Sequence, residues 1–137
     1  MVINTIIWKK REREMATRKS TVTTEENYLN TCKNAEMINL YKKLRSVVFE
    51  SFDNVETAAT AQYISWRISG GRQFVNFYIQ KHKIRVLTVE PSGKYNLGET
   101  VPDTHLWSLN YQTDILSEDN IDEVKRIICE SYNKLSY

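Results

Sequence analysis

Glycine and proline are scarce, at four and two residues in a chain of 137. That excludes a collagen-like or low-complexity chain. No apolar run approaches the roughly 18–20 residues of a membrane-spanning helix, so no membrane partner is expected. Residues 1–7 are mildly apolar, but Trp8 and a run of charges follow. The stretch lacks the basic start, apolar centre and small-residue cleavage site of a secretory signal. Cysteine is limited to Cys32 and Cys129, far apart and each inside an apolar helical pattern. They read as reduced, packed thiols of a cytoplasmic protein. With His82 and His105 as the only histidines, no metal-ligand spacing exists, and neither a metal nor a cofactor is expected.

Catalytic signatures are missing too. There is no G-x-S-x-G, no phosphate-binding loop and no dinucleotide fingerprint, since Gly70-Gly71 lacks the spacing that should follow. A metal-dependent nuclease would set acids at strand ends with a lysine two residues after one of them. Glu90-Pro91-Ser92 and Asp114-Ile115-Leu116 lack that lysine. Acid–base chemistry is left only to Glu90, Glu99 and Asp103 near His105. A small hydrolase therefore ranks below a binding role.

What is present suits one globular domain: 41% hydrophobic, 26% charged and 11% aromatic residues, long enough for one core and too short for two. The net charge of +2 hides an uneven distribution. Residues 1–20 concentrate Lys9, Lys10, Arg11, Arg13, Arg18 and Lys19 against Glu12 and Glu14, with no helical stripe and no turn signal. They read as a basic flexible tail, and Met15 offers an alternative start that would make residues 1–14 an extension. Residues 21–137 then form a single domain. Within it, residues 62–98 carry Arg67, Arg72, Lys81, Lys83, Arg85 and Lys94 against Glu90 alone, while residues 99–137 are mostly acidic. One side of the domain is expected to be basic, although solvated strand edges would need such charges anyway.

Periodicity predicts an α+β fold. A first helix starts near Thr23, where Thr23 and Glu26 have capping-box spacing, and ends by Asn34. A second helix covers residues 36–52, with Ile38, Tyr41, Leu44, Val48 and Phe52 on one face. Strict alternation marks strands at 62–68, 72–80 and 84–89, joined by turns at Ser69-Gly70-Gly71 and Lys81-His82-Lys83. A short fourth strand is expected at 111–116 after an irregular stretch. Ser117 then caps a last helix with a stripe of Ile121, Val124, Ile128, Tyr132 and Leu135. The economical arrangement is an antiparallel three- to four-stranded meander with helices packed on one face, in the order α-α-β-β-β-(β)-α.

A sheet covered on one side leaves its other side for solvent or a ligand. If Trp66, Phe77 and Val86 point to the helices, then Tyr63, Arg67, Phe74, Asn76, Tyr78 and Arg85 point away. Rings and guanidinium groups on an open sheet stack bases and hold phosphates. The expected nucleic-acid-binding set is Tyr63, Arg67, Arg72, Tyr78, Lys81, Lys83 and Arg85, with His105 and Trp107 as loop ligand candidates. The same residues also suit strands for structural reasons alone, and suit a protein partner or a homodimer interface.

Four stretches carry a family likeness. They are Leu40-Tyr41-x-x-Leu44-Arg45; Tyr63-Ile64-x-Trp66-Arg67; Phe74-x-x-Phe77-x-x-Gln80-Lys81-x-Lys83-Ile84-Arg85-Val86; and Asp119-x-Ile121-Asp122-x-Val124-x-x-Ile127-Ile128-x-x-Ser131-Tyr132. Residues 23–135 thereby resemble a small bacterial and archaeal domain of unknown function. That domain is often C-terminal in restriction-endonuclease-like proteins and in "predicted transport" proteins. The resemblance implies an accessory domain that recognises nucleic acid or a partner in restriction or defence, and it supplies no catalytic residues. Many members have a glycine-rich, His-containing turn before the fourth strand. This chain keeps His105 there but reads Thr104-His105-Leu106-Trp107-Ser108-Leu109-Asn110.

Overall fold

A computed structural model describes residues 22–102 and 109–136. The expected tail at 1–20, Asp103, and the loop candidates His105 and Trp107 lie outside the described residues.

The helices form where side chains satisfy their first backbone donors. Thr24 caps α1 (Glu25–Thr31), its hydroxyl accepting from the Asn27 N–H at 3.1 Å. The cap is thus one residue later than the spacing of Thr23 and Glu26 suggests, because Thr23 is drawn into a strand. Asn34 caps α2 (Ala35–Phe49), accepting from the N–H groups of Glu36 and Met37. Met37, Leu40, Tyr41, Leu44 and Val48 recur every three or four residues and form its buried stripe. Ser117 opens a short 3₁₀ turn, Glu118–Asn120, that leads into α3 (Ile121–Leu135). Acids at Glu118, Asp119, Asp122 and Glu123 suit the positive end of that helix.

Among the described residues seven strands make one antiparallel sheet: β1 (Val22–Thr23), β2 (Val55–Thr60), β3 (Ile64–Ile68), β4 (Gln73–Ile79), β5 (Ile84–Thr88), β6 (Glu99–Thr100) and β7 (Tyr111–Ile115). Their order across the sheet is β1-β2-β3-β4-β5-β7-β6. The α+β class holds, and the expected three- to four-stranded meander is its centre: β3, β4, β5 and β7. The correction is outward, by β2 and by two-residue strands on both rims. β2 escapes the sequence reading because Val55-Glu56-Thr57-Ala58-Ala59-Thr60 has no large apolar alternation.

Register places Ile64, Phe77 and Val86 side by side in one row. With Trp66, Val75 and Ile84 they bury one face under the helices. The Tyr41 ring meets Trp66 at 6.1 Å and Phe77 at 5.2 Å, which seats α2 on the middle of the sheet. Fully burying each such side chain stabilises the fold by about 1.5–3 kcal/mol.

Pairing then slips by one residue. Trp66 pairs with Val75, but Arg67 pairs with Gln73, so Phe74 is the extra residue of a β-bulge. This corrects the outward placement expected for Phe74. Its ring lies at 5.8 Å from Phe52 and 5.3 Å from Tyr132, on the helix side. Ser131 of α3 serves the interrupted backbone: its hydroxyl donates to the Phe74 carbonyl at 2.6 Å and accepts from the Val89 N–H at 3.1 Å.

Candidate functional site

Side chains alternate along a strand, so the neighbours of the core residues emerge on the opposite face. No described helix packs there. Tyr63 reaches it from the β2–β3 turn, where the Thr60 hydroxyl accepts from the N–H groups of Gln62 and Tyr63. Tyr78 reaches it from β4. The two rings lie 5.2 Å apart with a 43° tilt. Both are half-buried. Burial raises both hydroxyls above the ordinary phenol value; the neighbouring Tyr63 and Tyr28 help push Tyr78 up to about 12. Neither hydroxyl makes a hydrogen bond among the described residues.

The cations divide into two groups. Arg67, Arg72 and Lys81 are exposed, with no ion pair among the described residues. Arg67 adjoins Tyr63 and partly offsets the effect of burial on that hydroxyl. Arg72 follows the β3–β4 turn, and Lys81 begins the β4–β5 turn. By contrast, Lys83 and Arg85 converge on Asp114 of β7, at 3.3 and 3.5 Å. The structure therefore assembles Tyr63, Tyr78, Arg67 and Arg85 on one face, with Arg72 and Lys81 at opposite ends of β4. It also brings in a counter-ion that the sequence reading left out. The signal for Asp114 was present, since alternation through Tyr111–Ile115 sets Gln112 and Asp114 beside Leu87 and Arg85.

At the centre of this face stands Asn76, flanked in register by Ser65 and Leu87. It is 0% exposed, and neither its amide nitrogen nor its oxygen has a hydrogen-bond partner among the described residues. A buried amide with donor and acceptor both idle costs roughly 1–3 kcal/mol per unmet group.

Among the described residues no group of three or more His, Cys, Asp or Glu is placed to hold a metal ion. Nor is any described helix long and apolar enough to cross a membrane. Cys32 and Cys129 are both free thiols. Glu90 and Glu99 are exposed, and the partners proposed for them, Asp103 and His105, lie outside the described residues.

Comparison with curated proteins and with solved structures gave no match. A family match does exist, and it runs from the first residue of α1 into the last turn of α3. It thus takes in the ring pair, both groups of cations and all three helices: residues 25–134 match the domain of unknown function DUF5655, and the chain belongs to that family.

Proposed function

We propose that this domain is a non-catalytic binding module that holds single-stranded nucleic acid on the helix-free face of its sheet. The observation that carries the reading is the Tyr63–Tyr78 ring pair with the unpaired Arg67 beside it. Unstacked bases lie against such rings, and every base has a π-face, so the mode tolerates sequence. Arg67, Arg72 and Lys81 would take phosphates. Lys83 and Arg85 contribute less, because Asp114 already holds them. Three phosphate contacts on a single strand give a log–log salt slope of about −2.

The test is fluorescence anisotropy of single- and double-stranded oligonucleotides at two salt concentrations, on the full chain and on an Arg67→Ala/Tyr78→Ala variant. The expected result is preference for the single strand and a large loss in the variant. Undiminished binding by the variant would assign any affinity to the basic residues 1–20 and end the proposal.

A second reading, a protein partner or a second copy on the same face, is favoured by the pairing of Lys83 and Arg85 with Asp114, which offsets half of their charge. A salt-insensitive dimer in sedimentation, lost on Tyr63→Ala, would select it. A cytoplasmic setting beside restriction or defence nucleases belongs to the proposal as well. It is supported by the family resemblance and by the free thiols.

A further inference from the structure

At the end of the sheet beyond the ring pair, Tyr28 of α1 ties two turns together. Its hydroxyl donates to the Gln62 carbonyl at 3.3 Å and accepts from the Ile79 N–H at 3.1 Å. Asn34, the cap of α2, reaches the same region, and its amide nitrogen donates to the Lys81 carbonyl. These contacts frame an open groove of about 770 Å³ between the α1–α2 junction and the β2–β3 and β4–β5 turns. That volume falls within the roughly 300–1,000 Å³ of small-ligand pockets. Cys32, Ala61 and Ile79 give it an apolar floor, Gln62 and Gln80 bring side-chain amides, and Lys33 and Lys81 bring charge. Among the described residues no carboxylate lines it. Neither lysine has an ion pair among the described residues.

The groove opens round the end of the sheet from the binding face: Ile79 turns to the helix side, directly after Tyr78 on the ring side. Gln62 precedes Tyr63 and Ile79 follows Tyr78, so both strands lead from the rings directly into it. We infer that it is a second subsite for the same single strand: the nucleotide beyond the ring pair enters the groove. Its phosphate sits between Lys33 and Lys81, and its base lies against Ile79 and Ala61 with a glutamine amide at its edge. The inference rests on the nucleic-acid reading above. Charge complementarity and continuity with the ring pair select the occupant. The bound strand then follows β3 and β4, from Arg72 past Arg67 and the rings to Lys81 and Lys33. It does not cross towards β7, where Asp114 already engages Lys83 and Arg85.

Cys32 provides the measurement, because it lines the groove and Cys129 does not. In the full chain carrying Cys129→Ser, Cys32 is the sole thiol, and its maleimide reaction rate reports groove occupancy. An oligonucleotide of about eight nucleotides, inside the roughly 4–16 of known single-strand sites, should slow the reaction several-fold. Adding Lys33→Ala, which leaves the sheet-face cations in place, should remove most of that protection and weaken the long oligonucleotide several-fold, while a dinucleotide binds unchanged. If the oligonucleotide binds by anisotropy and Cys32 reacts at its free rate, the groove inference is overturned and the sheet-face reading stands. If no oligonucleotide binds, the sheet-face reading fails and the groove falls with it.

Discussion

The indole N–H of Trp66 donates to the hydroxyl of Tyr41 across 2.9 Å, joining the middle of the sheet to α2. The Tyr41 hydroxyl in turn donates to the Glu25 carboxylate, which also accepts from Arg45 Nε at 2.7 Å. Burial, with the Glu25 charge adding to it, raises the Tyr41 hydroxyl far above the phenol range. It therefore stays protonated and able to donate. Tyr41→Phe would leave a fully buried indole N–H without an acceptor, and should cost about 1–3 kcal/mol in urea unfolding. A variant as stable as the parent would show that the relay contributes nothing.

Asn76 predicts the opposite sign. Replacing an unsatisfied buried amide by an apolar side chain of similar volume removes a penalty and introduces no orphan. Asn76→Leu should raise the unfolding free energy by about 1 kcal/mol or more, moving the urea midpoint upward. A fall in stability would mean that the amide has a partner that matters.

Glu130 of α3 collects the 92–95 loop, accepting from the Ser92 and Gly93 N–H groups and from the Tyr95 hydroxyl. The bond from Tyr95 holds the Glu130 carboxyl below its ordinary value of 4.5, with the two backbone donors helping. Desolvation first, and the bond to Glu130 second, push Tyr95 from 10 up to about 12. A lowered carboxyl contributes stability that is present above pH 4.5 and lost as pH falls through its folded value. A raised phenol contributes stability that is present below pH 10 and lost as pH rises towards 12. Tyr95→Phe should make both the alkaline and the acid slopes shallower, leaving the alkaline part carried by the other raised tyrosines, while Glu130→Gln should make the acid slope shallower. Thermal unfolding across pH measures both.

Two glycines share a positive φ and should respond differently to alanine. Gly70 lies at +73° in the β3–β4 turn, and a Cβ added there would meet no atom within 4 Å. Gly70→Ala should cost only the backbone strain, about 1–2 kcal/mol. Gly98, at +95°, approaches β7 so closely that a Cβ would lie 2.4 Å from Tyr111 Cε2 and 2.8 Å from Thr113 Oγ1. Gly98→Ala adds overpacking of about 1–3 kcal/mol to the strain. Equal midpoints for the two variants in thermal melts would contradict this.

Much of the centre was legible because its side chains carry the period. Ile64, Trp66 and Ile68 alternate cleanly, Gly70 marks the hairpin, and Ser117 caps the turn before α3. Phe74 was not legible, because a bulge is a mismatch between two strands and neither strand displays it alone. Phe52 lies beyond the end of α2, yet its ring still stacks on Tyr132 at 4.0 Å, so a helical spacing outlived the helix. Among the binding candidates, Tyr63 and Tyr78 could be paired from alternation. The groove could not, because Lys33, Gln62 and Lys81 come from three separate connections that only the tertiary fold brings together.

The brevity of β6 limits how molecules can meet. β6, bounded by described residues on both sides, is two residues long and gives a neighbouring chain almost no ladder to extend. Short rims of this kind stop a sheet from propagating into fibrils. Side-chain contacts on the faces of the sheet, rather than backbone pairing at the β6 rim, are then what a second molecule would have to use.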